Sequence, residues 1–343
     1  MLIDRFGRVH DYLRISVTDR CDLRCAYCMP HERPSLQPRA KLLTVSEMTY
    51  LAEIFVELGI RKVRITGGEP LVRPDIESVL RRIGSIPGIQ QYALSTNGTT
   101  LQAKLEAIWA SGIRHLNVSL DSLQPETFRS ITRSPLLPNV LDAISAAVQF
   151  QKDGECFDTV KINTVVMRDV NDHGLFDFIE FGKKLTEQSG VRGPVVEIRF
   201  IEFMPFEGNG WDLSRVVTFA EMMTRIRSRY ELEPVDSIDT ASSARVFTIR
   251  SSTPIPLGVG FIASMTKPFC NDCNRLRLTS DGVLRTCLFG SAELDLKQML
   301  RAGASRSFIQ DAIHRTIKAK WQSHPAPLEL RAGNAQHMVS IGG

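Results

Sequence analysis

Through the N-terminal part of the chain, short dense apolar runs alternate with longer stretches whose apolar residues recur at helical spacing. Residues 13–18, 62–66, 92–96, 115–120, 160–167 and 195–203 read as strands. Between them, residues 44–58, 75–83, a segment ending at Ser111, 126–131, 140–151 and 175–185 read as helices. Thr44 or Ser46 caps the first helix and Gly59 stops it. Strict alternation of strand and helix predicts a parallel sheet with helical crossovers. Six such units fall short of the eight that close a full barrel, which leaves an open partial barrel or a doubly wound sheet.

Beyond about residue 205 the rhythm changes. Residues 219–230 look helical, and 245–250, 258–263, 276–279 and 283–287 look like short strands, with Ser280-Asp281-Gly282 as a hairpin signal. Two helical stretches follow, at 294–302 and 308–320, and the boundary between the two patterns falls at 205–215. Segments 33–40, 131–139, 151–158, 187–194 and 236–244 read as loops.

Composition narrows the class. The 343 residues are 43% hydrophobic and 23% charged, ordinary for a globular chain that buries its own core. A net charge of +4 is too small to argue for nucleic acid and suits an anionic small substrate. No run reaches the roughly 18 apolar residues of a membrane span. Residues 1–11 lack the apolar core of a signal peptide, so the expected location is cytoplasmic and reducing.

The seven cysteines form two triplets and a singleton, Cys156, which reads as a free thiol. An odd count in such a chain argues for metal ligation over disulfides. Cys21-x3-Cys25-x2-Cys28 directly follows the first strand, and thiolates suit zinc or iron–sulfur clusters. A structural zinc site wants four ligands, and no fourth is well spaced, His31 included. Three cysteines would leave one iron of a cubane open to a ligand. The second set, Cys270-x2-Cys273-x13-Cys287, also lacks a clear fourth ligand, although its Cys-x2-Cys pair is common in zinc sites. Between its cysteines lie Arg275 and Arg277, alternate residues on one face of a strand and suited to a phosphate. No phosphate-binding P-loop is present, which argues against a GTPase switch.

The first spacing, with Tyr27 before its last cysteine, resembles the radical S-adenosylmethionine (SAM) signature, and Gly67-Gly68-Glu69-Pro70 resembles that superfamily's SAM-contacting element. The chain as a whole resembles the GTP 3′,8-cyclases of molybdenum cofactor biosynthesis. The likeness rests on residues 13–30 (LRISVTDRCDLRCAYCMP), 63–72 (VRITGGEPLV), 117–121 (NVSLD), 160–166 with Asn171-Asp172, 197–204 (EIRFIEFM), 270–288 and the terminal Gly342-Gly343.

The resemblance implies an open partial (β/α)6 TIM-like barrel over residues 1–210, its mouth closed by a smaller C-terminal α+β domain over 211–343. It implies two 4Fe–4S clusters, on Cys21, Cys25 and Cys28 for SAM and on Cys270, Cys273 and Cys287 for GTP. Tyr27, Gly68, Ser119 and Met204 would contact SAM, with Arg199 a further candidate. Arg14, Arg64, Ser95, Lys161, Arg275, Leu276 and Arg277 would contact GTP. Ser95 departs from the threonine expected there but keeps the hydroxyl. The catalytic group would comprise Arg14, Arg275, Arg277 and the tail glycines Gly342 and Gly343. The implied reaction abstracts hydrogen from ribose C3′, whose radical then attacks guanine C8. Implied partners are an electron donor, a second copy in a homodimer, and the downstream cyclic pyranopterin monophosphate synthase, with no nucleic acid and no membrane. The rivals are a peptide-modifying radical SAM enzyme with an auxiliary cluster and a zinc-binding structural protein.

Overall fold

The structure is a computed structural model that describes residues 1–31, 36–190, 193–235, 243–249, 256–290, 293–332 and 337–342. Its strands are β1 (Tyr12–Ser16), β2 (Lys62–Thr66), β3 (Gln91–Thr96), β4 (His115–Ser119), β5 (Thr159–Val166) and β6 (Val195–Glu202), then β7 (Glu233–Pro234), β8 (Arg245–Ile249), β9 (Leu257–Ile262), β10 (Arg275–Leu278), β11 (Val283–Arg285) and β12 (Leu294–Asp295). The helices are α1 (Val45–Glu57), α2 (Ile76–Gly84), α3 (Leu105–Ala110), α4 (Pro125–Thr132), α5 (Leu137–Gln149), α6 (Leu175–Ser189), α7 (Phe219–Arg227), α8 (Leu296–Arg301), α9 (Arg306–Lys318) and α10 (Pro327–Ala332).

All six expected core strands form, and they pair in parallel in sequence order, so the sheet is an open partial barrel. The C-terminal segment adds strands to both edges of this same sheet. On one side β10 pairs parallel to β1 and carries β11 and β12; on the other β9 pairs parallel to β6 and carries β8 and β7. Eight parallel strands therefore stand side by side, with antiparallel strands closing off each edge. No described helix is long and apolar enough to cross a membrane.

Local chemistry explains the elements. Thr44, not Ser46, caps α1: its hydroxyl accepts from Glu47 N at 3.2 Å while the Glu47 carboxylate accepts from Thr44 N at 2.8 Å. Gly59, at φ +110°, ends the turn. The stretch expected as one helix at 294–302 splits, because Leu294–Asp295 pairs with β11 and Asp295 then caps α8 by accepting from Gln298 N at 2.8 Å.

The two faces of the parallel sheet differ. Leu13, Ile15, Val63, Ile65, Leu94, Leu116, Val160, Ile162, Val196 and Ile198 are buried and pack with helical residues such as Phe55, Ile83, Ile108, Ile144 and Ile179. Each such side chain contributes about 1.5–3 kcal/mol by leaving water. The residues between them, including Tyr12, Arg14, Arg64, Asn117, Lys161 and Glu197, point to the other face because strand side chains alternate. Sheets built only of parallel strands are ordinarily apolar on both faces, so a polar second face marks the site.

Candidate active site

The strand register places the polar side chains in rows. Arg277, Arg14 and Arg64 stand on adjacent strands β10, β1 and β2. One pleat further on, Ser95, Asn117, Lys161, Glu197 and Gly258 line up across β3 to β6 and β9. The next row is Ser119, Asn163, Arg199 and Gly260. Charge of one sign is concentrated here. Burial, then the neighbouring Arg64 and Arg275, hold Arg14 down at about 10 against the opposing pull of Tyr12. Burial, Arg14 and Arg275 hold Arg277 at about 9. The Tyr12 phenol accepts from Arg64 Nε at 2.7 Å. Burial alone would push that phenol up, but the Arg64 and Arg14 guanidiniums bring it down to about 7. Lys161 is lowered to about 8 by burial and Arg199, with Glu197 opposing at 3.4 Å. Glu197 in turn grips Arg199 Nε at 2.5 Å. Gly260 makes room for this pair, since a Cβ there would lie 2.6 Å from Glu197 Oε1. A cluster of this kind is costly alone and is relieved by a polyanion.

The first cysteine triplet lies beyond the carboxyl end of β1, where ligands gather in parallel α/β sheets. Its loop is pinned to the end of α4: Arg24 N and Ala26 N donate to Thr132 O and Ile131 O at 3.0 and 2.8 Å. Gly67 and Gly68 follow β2 and press against the chain just before Cys21. A Cβ on Gly68 would sit 2.3 Å from Arg20 O, and one on Gly67 2.7 Å from Thr18 O. Gly68 N and Glu69 N donate to Thr18 O and Arg20 O, each at 2.7 Å. Glu69 is buried and accepts from Thr96 Oγ1, Asn97 N and Leu71 N at 2.7, 2.6 and 3.0 Å. Burial still pushes its carboxyl up to about 7. Burial also raises Cys21 and Cys28 to about 12 and pushes Cys25 up as well, aided by Glu69 and Asp22 at Cys21 and by Asp121 at the other two.

Tyr27 donates to Asp121 Oδ2 at 2.8 Å, and Asp121 is raised to about 6 by burial. Tyr27 and Met204 share one apolar cluster with Ile131, Phe203, Trp211 and Met265. Asn209 ties them together by donating to Tyr27 O at 3.3 Å and Met204 O at 3.0 Å. Ser119 is exposed at the end of β4.

The second triplet occupies the opposite end. Cys270 and Cys273 precede β10, which runs parallel to β1, and Cys287 follows the antiparallel β11. The two triplets thus flank the polar face from its two ends, with the five residues of β1, about 16 Å at some 3.3 Å per residue, between those ends. Although burial works upward, Lys320 and Arg275 bring the Cys273 thiol below its ordinary value, and a hydrogen bond from His324 does the same for Cys270. Burial leaves Cys287 raised.

The C-terminal tail enters this space. Ile341 is buried, and the Gly342 carbonyl accepts from Thr66 Oγ1 at 2.8 Å. At φ +80° and 2.8 Å between a Cβ and Ser16 Cβ, position 342 accepts only glycine without a shift. Gly343 lies outside the described residues. Of the expected substrate residues, Leu276 differs: its side chain is fully buried in the helix-covered core, opposite the arginines. Alternation along β10 forces this, because its neighbours Arg275 and Arg277 face the other way.

No three His, Cys, Asp or Glu side chains among the described residues are grouped tightly enough for a single metal ion. The donors nonetheless suit iron–sulfur clusters: each triplet is all thiol, none is in a disulfide, and the thiols of each set lie within electrostatic reach of one another. Sequence reading missed Asp121, Asn97, Asn209, Glu197 and Lys320. Asp121 and Glu197 fall in the quoted motif stretches, which was their only signal.

An open parallel barrel with a three-cysteine loop beyond its first strand defines a radical SAM protein. The Radical SAM superfamily profile matches residues 15–182 and the Molybdenum Cofactor Synthesis C profile matches 196–326. The mitochondrial GTP 3′,8-cyclase of Arabidopsis thaliana is 40% identical over all of this chain and 84% of its own length. The GTP 3′,8-cyclase of Geobacter sulfurreducens is 41% identical over 100% of this chain and 99% of its own. The chain spans about half of molybdenum cofactor biosynthesis protein 1 of Mus musculus, 51% at 40% identity. Streptococcus suis SuiB bound to S-adenosylmethionine shares the fold, with a TM-score of 0.57 at 13% identity over 91% of this chain and 68% of that one. The chain belongs to the GTP 3′,8-cyclase family. Its cofactors are SAM and two 4Fe–4S clusters.

Proposed function

We propose that this chain converts GTP to its 3′,8-cyclised form, the first step of molybdenum cofactor biosynthesis. One observation carries the reading: Arg277, Arg14 and Arg64 stand abreast on a partly buried face lying between the two cysteine triplets. When bound, the cluster and SAM would supply, on one-electron reduction, a 5′-deoxyadenosyl radical able to take hydrogen from ribose C3′; the C3′ radical would add to guanine C8, and one further electron from the electron donor with one proton would close the adduct. Cys21, Cys25 and Cys28 hold that cluster, and Cys270, Cys273 and Cys287 hold the one facing guanine. The rest is positioning. Arg14, Arg64, Arg275 and Arg277 grip the triphosphate, while Ser95 and Lys161 supply further contacts. Tyr27, Gly68, Ser119 and Met204 hold SAM at the carboxyl ends of the strands. Gly342 sits over Ser16 and Thr66 and shields the pocket. In this reading residues 211–343 act as the auxiliary-cluster and substrate part of the molecule. The protein would work in the cytoplasm as a homodimer, fed by an electron donor and delivering product to the cyclic pyranopterin monophosphate synthase.

The test is anaerobic reconstitution with iron and sulfide, then addition of SAM, a strong reductant and GTP, ATP or no nucleotide. GTP-stimulated 5′-deoxyadenosine with a cyclised GTP product is expected. Formation indifferent to GTP would assign the radical chemistry to another substrate. Zinc near two per chain with no sulfide would overturn the cluster reading.

A further inference from the structure

Asp4, Arg8, His10 and Lys320 are all buried behind the second triplet, and nothing in the reading above uses them. Lys320 Nζ lies 3.5 Å from Cys273 Sγ, 3.0 Å from Arg275 O and 3.5 Å from His10 Nδ1. His10 Nε2 meets Asp4 Oδ2 at 3.2 Å. The same carboxylate oxygen receives Arg8 Nε at 2.6 Å, and Arg8 also donates to Cys270 O at 2.6 Å and to Trp321 O at 2.6 Å. His324, whose ring nitrogens meet Pro325 O at 2.7 Å and Ser264 O at 3.2 Å, lies near enough to Cys270 to lower its thiol. The N-terminal turn is thereby locked to the loop that bears the cysteines.

A buried ammonium needs an anionic partner. Asp4 is engaged by Arg8 and reaches Lys320 only through His10; burial lowers the lysine, and what holds its proton is the set of three acceptors around Nζ, Cys273 Sγ, Arg275 O and His10 Nδ1. The first triplet has more acidic surroundings: Asp22, Glu69 and Asp121 act on its thiols, Arg24 binds only backbone oxygens there, at Cys21 and Leu23, and the neutral Asn97 amide lies 3.7 Å from Cys21 Sγ, whereas beside the second triplet the carboxylate of Glu293, bonded to Thr286, faces Lys320. Hydrogen bonds to the sulfurs and nearby positive charge favour the more reduced, more negative state of an iron–sulfur cluster, and nearby negative charge opposes it.

We propose that Lys320, braced by His10 and Asp4, is a positioning residue that raises the reduction potential of the second cluster and so sets it above the acid-surrounded first. The inference rests on the two-cluster reading. The low potential then belongs to the cluster that must reduce SAM, and the second stays in one oxidation state while substrate sits on it.

The test is a redox titration of the reconstituted holoenzyme followed by electron paramagnetic resonance, with Cys25→Ser and Cys273→Ser variants assigning the two signals. Lys320→Met should lower the midpoint of the second cluster and leave the first unchanged, at wild-type iron and sulfide content. Lys320→Arg, which keeps the charge, should restore most of the shift. Should the methionine variant lose its second cluster, Lys320→Gln, a donor without charge, takes its place with the same downward shift expected. An unmoved second midpoint in either neutral variant overturns the proposal. Wild-type protein that takes up only one cluster would instead sink the reading beneath it.

Discussion

Arg277→Met separates a substrate-binding arginine from a structural one. Burial, reinforced by Arg14 and Arg275, holds Arg277 at about 9 against an ordinary 12.5. At roughly 1.4 kcal/mol per pKa unit, keeping it charged in the nucleotide-free protein costs on the order of 5 kcal/mol, an upper bound because relaxation and entering water reduce it. Methionine keeps most of the aliphatic stem and removes that cost. The nucleotide-free variant should therefore unfold at the same temperature as the wild type or higher. GTP binding should move the other way. Losing one charge-assisted contact costs about 1.5–3 kcal/mol, which is roughly 10- to 150-fold in Kd. Calorimetric titration of the reconstituted protein with GTP, alongside thermal unfolding with and without GTP, reads both effects. A lower unfolding temperature in the free variant together with unchanged GTP affinity would refute the reasoning and make Arg277 a structural residue.

Four further outcomes are expected. Gly68→Ala drives a Cβ to 2.3 Å from Arg20 O, so it should displace the segment before Cys21 and lose about half the iron, from the first cluster alone. One of the five tyrosines should titrate near pH 7 by tyrosinate absorbance, and Tyr12→Phe should abolish that step. The sign follows: with the folded pKa below the ordinary 10, this group's stabilisation is full above about pH 10 and lost as pH falls through about 7, so the phenylalanine variant should show a flatter stability profile across that window. Asn209→Ala frees the backbone turns bearing Tyr27 and Met204, and should raise the KM for SAM several-fold while leaving GTP affinity unchanged. Removing Gly342 and Gly343 should lower cyclisation at full iron content, and an unchanged product yield would return the tail to a passive role.

What the sequence made legible follows the range of each interaction. The six core strands and the cap at Thr44 depend on neighbours within one turn or pleat, so their signals are local. The elements it missed, β7, β12 and α10, are two to six residues long and carry too few positions for a period to register. Leu276 could be placed beside the substrate by motif, but the alternation that turns it into the core was already present in Arg275-Leu276-Arg277. The reach of Lys320 and Arg8 to the second triplet had no local signal. Their partners Cys273 and Cys270 lie 47 and 262 positions away, and only the fold brings them together.

The sheet's connectivity explains why the site needs both halves of the chain. Strands β1 to β6 alone would present Arg14 on an open edge, where water would screen it. Pairing β10 against β1 adds the buried Arg277 directly beside Arg14 and moves the edge outward, so Arg14 becomes half-buried like Arg64. Burial makes each charge cost more in the empty protein and, for the same reason, makes a bound polyphosphate worth more. The strand that completes the arginine row also runs from Cys273, so the second triplet and the anion site cannot assemble separately. A triphosphate held there is thereby fixed in register with both ends of the face at once, one bearing the SAM-side loop and the other the second triplet.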